Sequence, residues 1–371
     1  MLRKRFPVWE VKVAMWEQKR YSESRSRMPD VKENNMKLRG VLCLIACLIA
    51  TKGFAAEKRG IGVYIDQDML LPFVNEDRDY TMGIALEFFE EDGAFYLLDG
   101  VVRRFGELLE VHAKDAPIRR SYLIGSVNYT PDDLSATAPL PGDRPYSSVL
   151  FLANKRVFAD DKVAVGVEAQ VGALGTYAAR EIQKALHQAW RETTGDDEPL
   201  DPMGWHNQIS AGGEPTARLR VARSERLMHE SGLYDLAGTW DLSLGYQTNA
   251  SLGLSARAGV LRSPFWSIPY DPINRGNFVP VFGRDELYAW AAYRARVVGY
   301  DALIQGQFRD SALTYDGDDL NRLVHEAGFG VTGSYAGVQL TVAANMKTAE
   351  LDVGSADRTH WWGGTYITFR F

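Results

Sequence analysis

The residues whose types and spacing could do chemistry are a histidine, a threonine and a short run of carboxylates and amides. Asp66-Gln67-Asp68 places two carboxylates two positions apart. On a strand such residues share a face. Asp66 and Asp68 would then offer oxygen ligands to a hard cation such as Ca²⁺, and an acidic loop rim accounts for the pair equally well. Asp77-Arg78-Asp79 reads as a solvated, salt-bridged turn and leads into Tyr80-Thr81. His187 sits in a helical stretch, off the apolar stripe of Ile182, Leu186 and Ala189 and therefore on an exposed side. A neutral imidazole close to carboxylates is suited to act as a general base. Gly142-Asp143-Arg144-Pro145-Tyr146 and Gly204-Trp205-His206-Asn207-Gln208 are two further polar clusters. No Gly-x-Ser-x-Gly elbow, phosphate-binding loop or Cys/His zinc spacing occurs, so ordinary soluble hydrolase and nucleotide chemistries have no support.

The elements that position these residues begin after a leader. Met36-Lys37-Leu38-Arg39, the apolar run from Gly40 to Ala50 and the exit at Ala55-Ala56 have the order of a secretory signal peptide. The run is shorter than the ~20 residues a membrane helix needs. Leu44-Ile45-Ala46-Cys47 also resembles a lipoprotein cleavage box, but apolar residues continue past Cys47, which favours cleavage near Ala56. The expected organisation is a leader at 1–35, a signal peptide at 36–56 and one domain at 57–371. The chain carries 42 Lys+Arg and 48 Asp+Glu, a net charge of −6, and two cysteines, Cys43 and Cys47. Without the 12 basic and 5 acidic residues of 1–56, the remainder holds 30 basic and 43 acidic groups, a net charge of −13, and no cysteine. That balance excludes a strongly basic nucleic-acid binder. A mean hydropathy of −0.24 argues against a polytopic helical membrane protein and says nothing against a β-barrel, whose alternation averages polar with apolar.

Alternation is what the rest of the chain shows. Twelve segments carry it: 60–66, 79–90, 119–130, 145–158, 162–174, 206–228, 231–247, 249–262, 285–298, 325–335, 336–347 and 358–371. Twelve is an even number, as single-chain bacterial barrels require, and the segments are of membrane-crossing length. The chain closes on Thr365-Tyr366-Ile367-Thr368-Phe369-Arg370-Phe371, an aromatic terminal strand of the kind the outer-membrane assembly machinery reads. The fold class is all-β, a transmembrane antiparallel β-barrel with short extramembrane helices over 91–118 and 176–192. Ala302–Gln307 could add a strand. With the N-terminus periplasmic, the clusters at 66–68, 77–81, 142–146 and 187–208 fall at the cell-surface rim.

Taken in order, Asp66-Gln67-Asp68, Glu76-Asp77-Arg78-Asp79-Tyr80-Thr81-Met82-Gly83, Tyr129-Thr130-Pro131, Gly142-Asp143-Arg144-Pro145-Tyr146, His187 and Gly204-Trp205-His206-Asn207-Gln208 resemble the lipid A 3′-O-deacylase (LpxR-type) outer-membrane family. The resemblance implies a 12-stranded barrel in the bacterial outer membrane, among outer-membrane lipids. It would remove the 3′-linked acyloxyacyl group of lipid A, or lipopolysaccharide, with Ca²⁺. By position, His187 would activate water, Asp68 would match the family's acidic site residue and Thr81 its threonine. Gln67 stands where the family has asparagine, one methylene shorter. The loop from Asp132 to Leu140 lacks a basic residue to meet a lipid A phosphate. The main alternative is a non-catalytic porin or structural barrel on the same scaffold. A phospholipase-like esterase with Thr81 as nucleophile is a third.

Overall fold

The computed structural model describes residues 59–71, 78–90, 98–108, 118–195, 201–275 and 285–370. The leader, the signal peptide, Glu76, Asp77 and Phe371 lie outside them. The chain divides into two compact units. One consists of Phe54–His187 with Glu198–Phe371; the other consists of Met1–Gly53 with Gln188–Asp197, of which 188–195 are described. The first unit holds twelve strands: β1 (Arg59–Gln67), β2 (Asp79–Glu90), β3 (Ile118–Thr130), β4 (Ser147–Ala159), β5 (Val163–Leu174), β6 (Glu214–Glu230), β7 (Tyr234–Gly245), β8 (Gln247–Val260), β9 (Glu286–Asp301), β10 (Leu323–Tyr335), β11 (Val338–Lys347) and β12 (His360–Arg370). Each pairs antiparallel with its sequence neighbour, and β1 with β12 closes the barrel. Closure leaves no edge unpaired, the condition for strands in lipid.

Burial follows the pleat. Along β9, Glu286 to Val298 alternates buried and exposed residues almost without interruption. The outward set includes Ile65, Phe88, Ile124, Leu152, Leu242, Leu252, Leu287 and Val342, all exposed large hydrophobics. They form the lipid-facing belt. No described helix is long and apolar enough to cross a membrane, and the strands do the crossing.

The inward set is charged and filled. Glu87 accepts from Tyr64 at 2.7 Å and from Lys155 at 3.1 Å. Arg218 reaches Glu168 at 3.4 Å. Arg220 and Arg294 each meet Asp241 at 3.2 Å, and Arg296 joins Glu326 at 3.0 Å to Glu350 at 2.9 Å. Breaking one such buried pair strands a desolvated charge, so the network fixes side chains across the lumen. The chain itself also enters. In the connection from β8 to β9, Phe265 and Trp266 pack with Phe89 and Val157, and the short helix α3 (Pro272–Arg275) offers the Asn274 carbonyl to Arg220 at 2.8 Å. The turn α4 (Ala302–Gln305) buries Leu303 with Tyr246 and Leu174. A polar cavity of about 30 Å³ lies between Tyr80, Arg220, Arg296 and Glu350.

All twelve expected strands form, with three local differences. β6 starts at Glu214 rather than near 206, because Trp205–Asn207 is a 3-10 turn and Ser210, Gly212 and Gly213 all have positive φ. Ala302–Gln305 is helical, not an extra strand; Asp301 caps it through Leu303 N at 2.9 Å. Of the expected helix over 91–118, the described helical part is Asp99–Leu108, here α1. The second helix, α2, runs Ala178–Thr194.

Candidate active site

Four of the sequence-selected residues lie at the mouth of the barrel opposite its termini. Whether each faces lumen or lipid is decided by the pleat and by one irregularity in it.

Asp66 faces the lumen. It is fully buried, and its two carboxylate oxygens accept from Tyr80 Oη at 2.9 Å and Tyr366 Oη at 2.8 Å. Asp68 does not share its face. The strand ends at Gln67, and Asp68 opens a 3-10 turn through Leu70, so the two-residue period no longer applies. Asp68 is buried and accepts from the Arg78 backbone N–H at 3.0 Å and from Gln67 Nε2 at 3.3 Å. The expected pair of carboxylates on one strand face is therefore not formed. Among the described residues no group of three or more His, Cys, Asp or Glu side chains is arranged to hold a metal ion. Asp66, held by two tyrosines in the lumen, and Asp68, outside the strand, do not form the expected pair of ligands for a calcium ion.

Thr81 reaches the outer wall because of a bulge. The β2–β3 register shifts between Asp79 and Met82. One extra residue reverses the faces that follow it. Tyr80 thus turns inward to Asp66, while the Thr81 hydroxyl lies 2.5 Å from that of Thr130, on the side of β3 opposite the inward Tyr129. Asp79 starts the bulge at φ 63 and is held by Arg358, whose guanidinium donates to its two oxygens at 2.7 and 2.8 Å. Gly83 completes the geometry, because a Cβ there would lie 2.0 Å from Tyr80 Oη.

The outward columns above the lipid belt are polar and buried. Register aligns Gln67 with Met82, Met82 with Asn128, and Asn128 with Ser148. Asn128 is 1% exposed, donates to the Met82 carbonyl at 3.3 Å and accepts from Ser126 at 3.1 Å. Ser148 donates to Gln208 Oε1 at 2.8 Å. Farther down the same strands Phe88, Ile124 and Leu152 are exposed to lipid at 44–46%. The lipid-facing wall therefore changes from apolar and exposed to polar and covered at one end.

α2 contributes His187. Its buried face is Ala179, Gln183 and His187, spaced four apart. This corrects the helical wheel: His187 is 1% exposed and lies on the packed face. Lys184 and Ala185 are the exposed ones, and the side chains of Leu186 and Ala189 are outside the described set. The wheel failed because the buried side of the helix is set by the connections it meets: Ala179 packs with Leu134, Tyr146 and Trp205, and Gln183 accepts from Trp205. Trp205 Nε1 donates to Gln183 Oε1 at 2.8 Å, and the Trp205 ring packs on Tyr146 at 4.9 Å between centroids.

Gly142-Asp143-Arg144-Pro145-Tyr146 is scaffolding for this rim. Asp143 accepts from Asp132 N at 2.8 Å, Arg144 N at 2.7 Å and Arg358 at 2.9 Å. Arg144 spans to Glu350 at 2.6 Å with its guanidinium 3.8 Å over the Tyr129 ring. Gly142 has φ 85, a left-handed conformation that suits glycine. Burial pushes the Glu350 carboxyl up, but Lys347, Arg144 and Arg296 outweigh it and hold the group well below the usual range. Arg358, whose burial is likewise outweighed by Asp79 and Asp143, is held above its ordinary value. Arg358, Glu350 and Gln183 gave no signal in sequence, being single residues far along the chain from what they hold.

A family model for the outer membrane protein LpxR matches residues 40–371. The chain belongs to the LpxR family. It is accordingly an outer-membrane protein of the lipid A-modifying kind. The structure of LpxR from Salmonella typhimurium superposes with a TM-score of 0.66 at 17% identity, over 84% of this chain and 100% of that one. At that identity the likeness establishes the shared barrel fold. The β domain of the Bordetella autotransporter BrkA aligns at 8% identity and TM-score 0.41, over 85% of this chain and 100% of that one. A KdgM porin aligns at 4% identity and TM-score 0.36, over 84% and 99%. Comparison with curated proteins gave no match.

Proposed function

We propose that this LpxR-family barrel is an ester hydrolase that removes the 3′-linked acyloxyacyl group of lipid A in the outer leaflet. The observation that carries the reading is the covered polar patch on the lipid-facing wall, where Thr81, Asn128, Thr130 and Ser148 replace the exposed apolar side chains below them. The patch lies on the side of the wall that faces the leaflet, so a lipid ester would reach it from there once the groups covering it move aside. His187 takes a proton from water as its oxygen bonds to the ester carbonyl carbon. The carbon–oxygen bond to the sugar then breaks, and the proton passes to the departing sugar oxygen. Gln67 and Thr81 are the donors available to the developing oxyanion. Asp68 orients the Gln67 amide through their 3.3 Å hydrogen bond.

The family resemblance implies Ca²⁺. The described donors offer one carboxylate, Asp68, on the outer wall, so no step is assigned to a cation. The filled lumen gives the porin reading no support. We also assign the terminal strand, His360–Arg370 with Phe371 beyond it, to recognition by the outer-membrane assembly machinery.

The deciding experiment is the lipid A mass profile of cells with and without the protein. Loss of one acyloxyacyl group is expected, together with its restoration by His187→Ala. An unchanged profile, or full activity of His187→Ala, sinks the proposal.

A further inference from the structure

The second helix on the outside of the barrel lies at the opposite end, near the termini, and the proposed chemistry makes no use of it. α1 packs on the outer wall: Val102 is fully buried against Val167 and Ala169, with Leu98, Leu219 and Val221 around it. Those β5 and β6 residues alternate with Glu168 and Arg220, which face the lumen. Val167 is four residues into β5 from its terminus-side end.

Beside this apolar cluster, the outer face of β4 is polar. Outward positions of β4 run from Leu152, which is exposed, to Asn154 and Arg156, which are buried. Arg156 donates to Asp99 at the start of α1, and Asn154 has neither Nδ2 nor Oδ1 hydrogen-bonded. Register continues the basic row sideways, from Arg156 to Arg120 in β3 and, through Glu90, to Arg59. Away from the wall, α1 exposes Val101 and Phe105 on one flank, Arg103 on the other and Arg104 between them. An amphipathic helix lying in a membrane interface has this layout, apolar flank to the acyl chains and arginines to the phosphates. The cationic groups complement an anionic headgroup.

We propose that α1, anchored to the wall by the Arg156–Asp99 ion pair, forms a seat for anionic phospholipid headgroups of the periplasmic leaflet. The apolar flank sets the depth of the helix, and Arg103 and Arg104 bind the phosphate.

The test uses the full-length barrel in nanodiscs of phosphatidylethanolamine and phosphatidylglycerol, followed by detergent release and native mass spectrometry of retained lipid. The wild type is expected to retain phosphatidylglycerol over phosphatidylethanolamine. Arg103→Glu with Arg104→Glu is expected to lower that preference roughly tenfold or more, and Arg103→Lys with Arg104→Lys to keep most of it. Arg309→Glu, in an exposed loop at the other end, serves as the charge control and is expected to change nothing. Heat-modifiable gel migration verifies that each barrel is folded. Equal retention of both lipids by the wild type, or an undiminished preference in the double glutamate variant, overturns the proposal. Loss of preference in the Arg309→Glu control would also overturn it, because the effect would then follow net charge and not the seat.

Discussion

Trp205→Phe tests how the helix bearing His187 is held. Phenylalanine keeps an aromatic ring against Tyr146, 4.9 Å away in the wild type, and removes only the indole N–H that donates to Gln183 at 2.8 Å. Gln183 is 1% exposed, so its carbonyl oxygen would remain buried without that donor. Such a loss costs about 1–3 kcal/mol. Gln183 and His187 are one turn apart on the same buried face, so the cost falls on the register of α2 against the 205–208 segment. If it is felt mainly in the placement of the imidazole, turnover drops roughly 5- to 150-fold. Substrate binding on the barrel wall should change little, because Thr81, Asn128 and Ser148 belong to strands. The assay is deacylation of purified lipopolysaccharide in mixed micelles, with kcat and KM resolved separately and folding checked by heat-modifiable migration. A fall in kcat at nearly constant KM is expected, with partial recovery in Trp205→His if its ring N–H reaches Gln183. Unchanged kcat, or a loss confined to KM, would refute the argument that this bond positions His187.

Arg358→Ala should destabilise the folded barrel by about 2 kcal/mol, because it leaves Asp79 buried and removes a clamp shared with Asp143; the midpoint of the heat-modifiable transition reads it. Asp66→Asn and Asp68→Asn should differ in kind. The first loosens the tyrosine pair in the lumen while leaving any metal dependence of lipid A deacylation as in the wild type, and the second lowers activity at least tenfold. Titration of both variants with chelator and Ca²⁺ separates them. Glu350 makes stability depend on pH in a definite direction. Its folded-state carboxyl is held well below the usual value of about 4.3, so its contribution is complete above that pH and disappears as pH falls through the lower folded value. Thermal midpoints should therefore fall below about pH 4 in the wild type. Glu350→Gln should be less stable at pH 7 but flatter with acid, its curve converging on that of the wild type.

The strand count was legible because alternation is a local signal, repeated twelve times and imposed by the same two environments on every strand. The limits of single elements were less so. Strand β6 reads as starting near 206 because His206-Asn207-Gln208 continues an alternating pattern. Positive φ at Ser210, Gly212 and Gly213 determines otherwise. At the site, residue types pointed to a rim, yet two face assignments failed. Asp68 left the strand, and His187 lies on the packed face of its helix; the bulge that turns Thr81 outward gave no signal in the sequence. Each depends on register between strands or on what a helix lies against, and neither is written in spacing along one chain. Arg358 is farther removed still, joining Asp79 to Asp143 from the last loop of the barrel.

The charged side chains and the returning segments that fill the lumen also determine how substrate can be supplied. With the interior built as a core, a lipid substrate of the proposed hydrolase would reach the outer wall by lateral diffusion within the leaflet. The relevant concentration is then a surface density. Turnover should follow the mole fraction of substrate lipid and fall when inert lipid or detergent is added at constant bulk substrate. For such a protein, the composition of the surrounding leaflet acts as a control on rate.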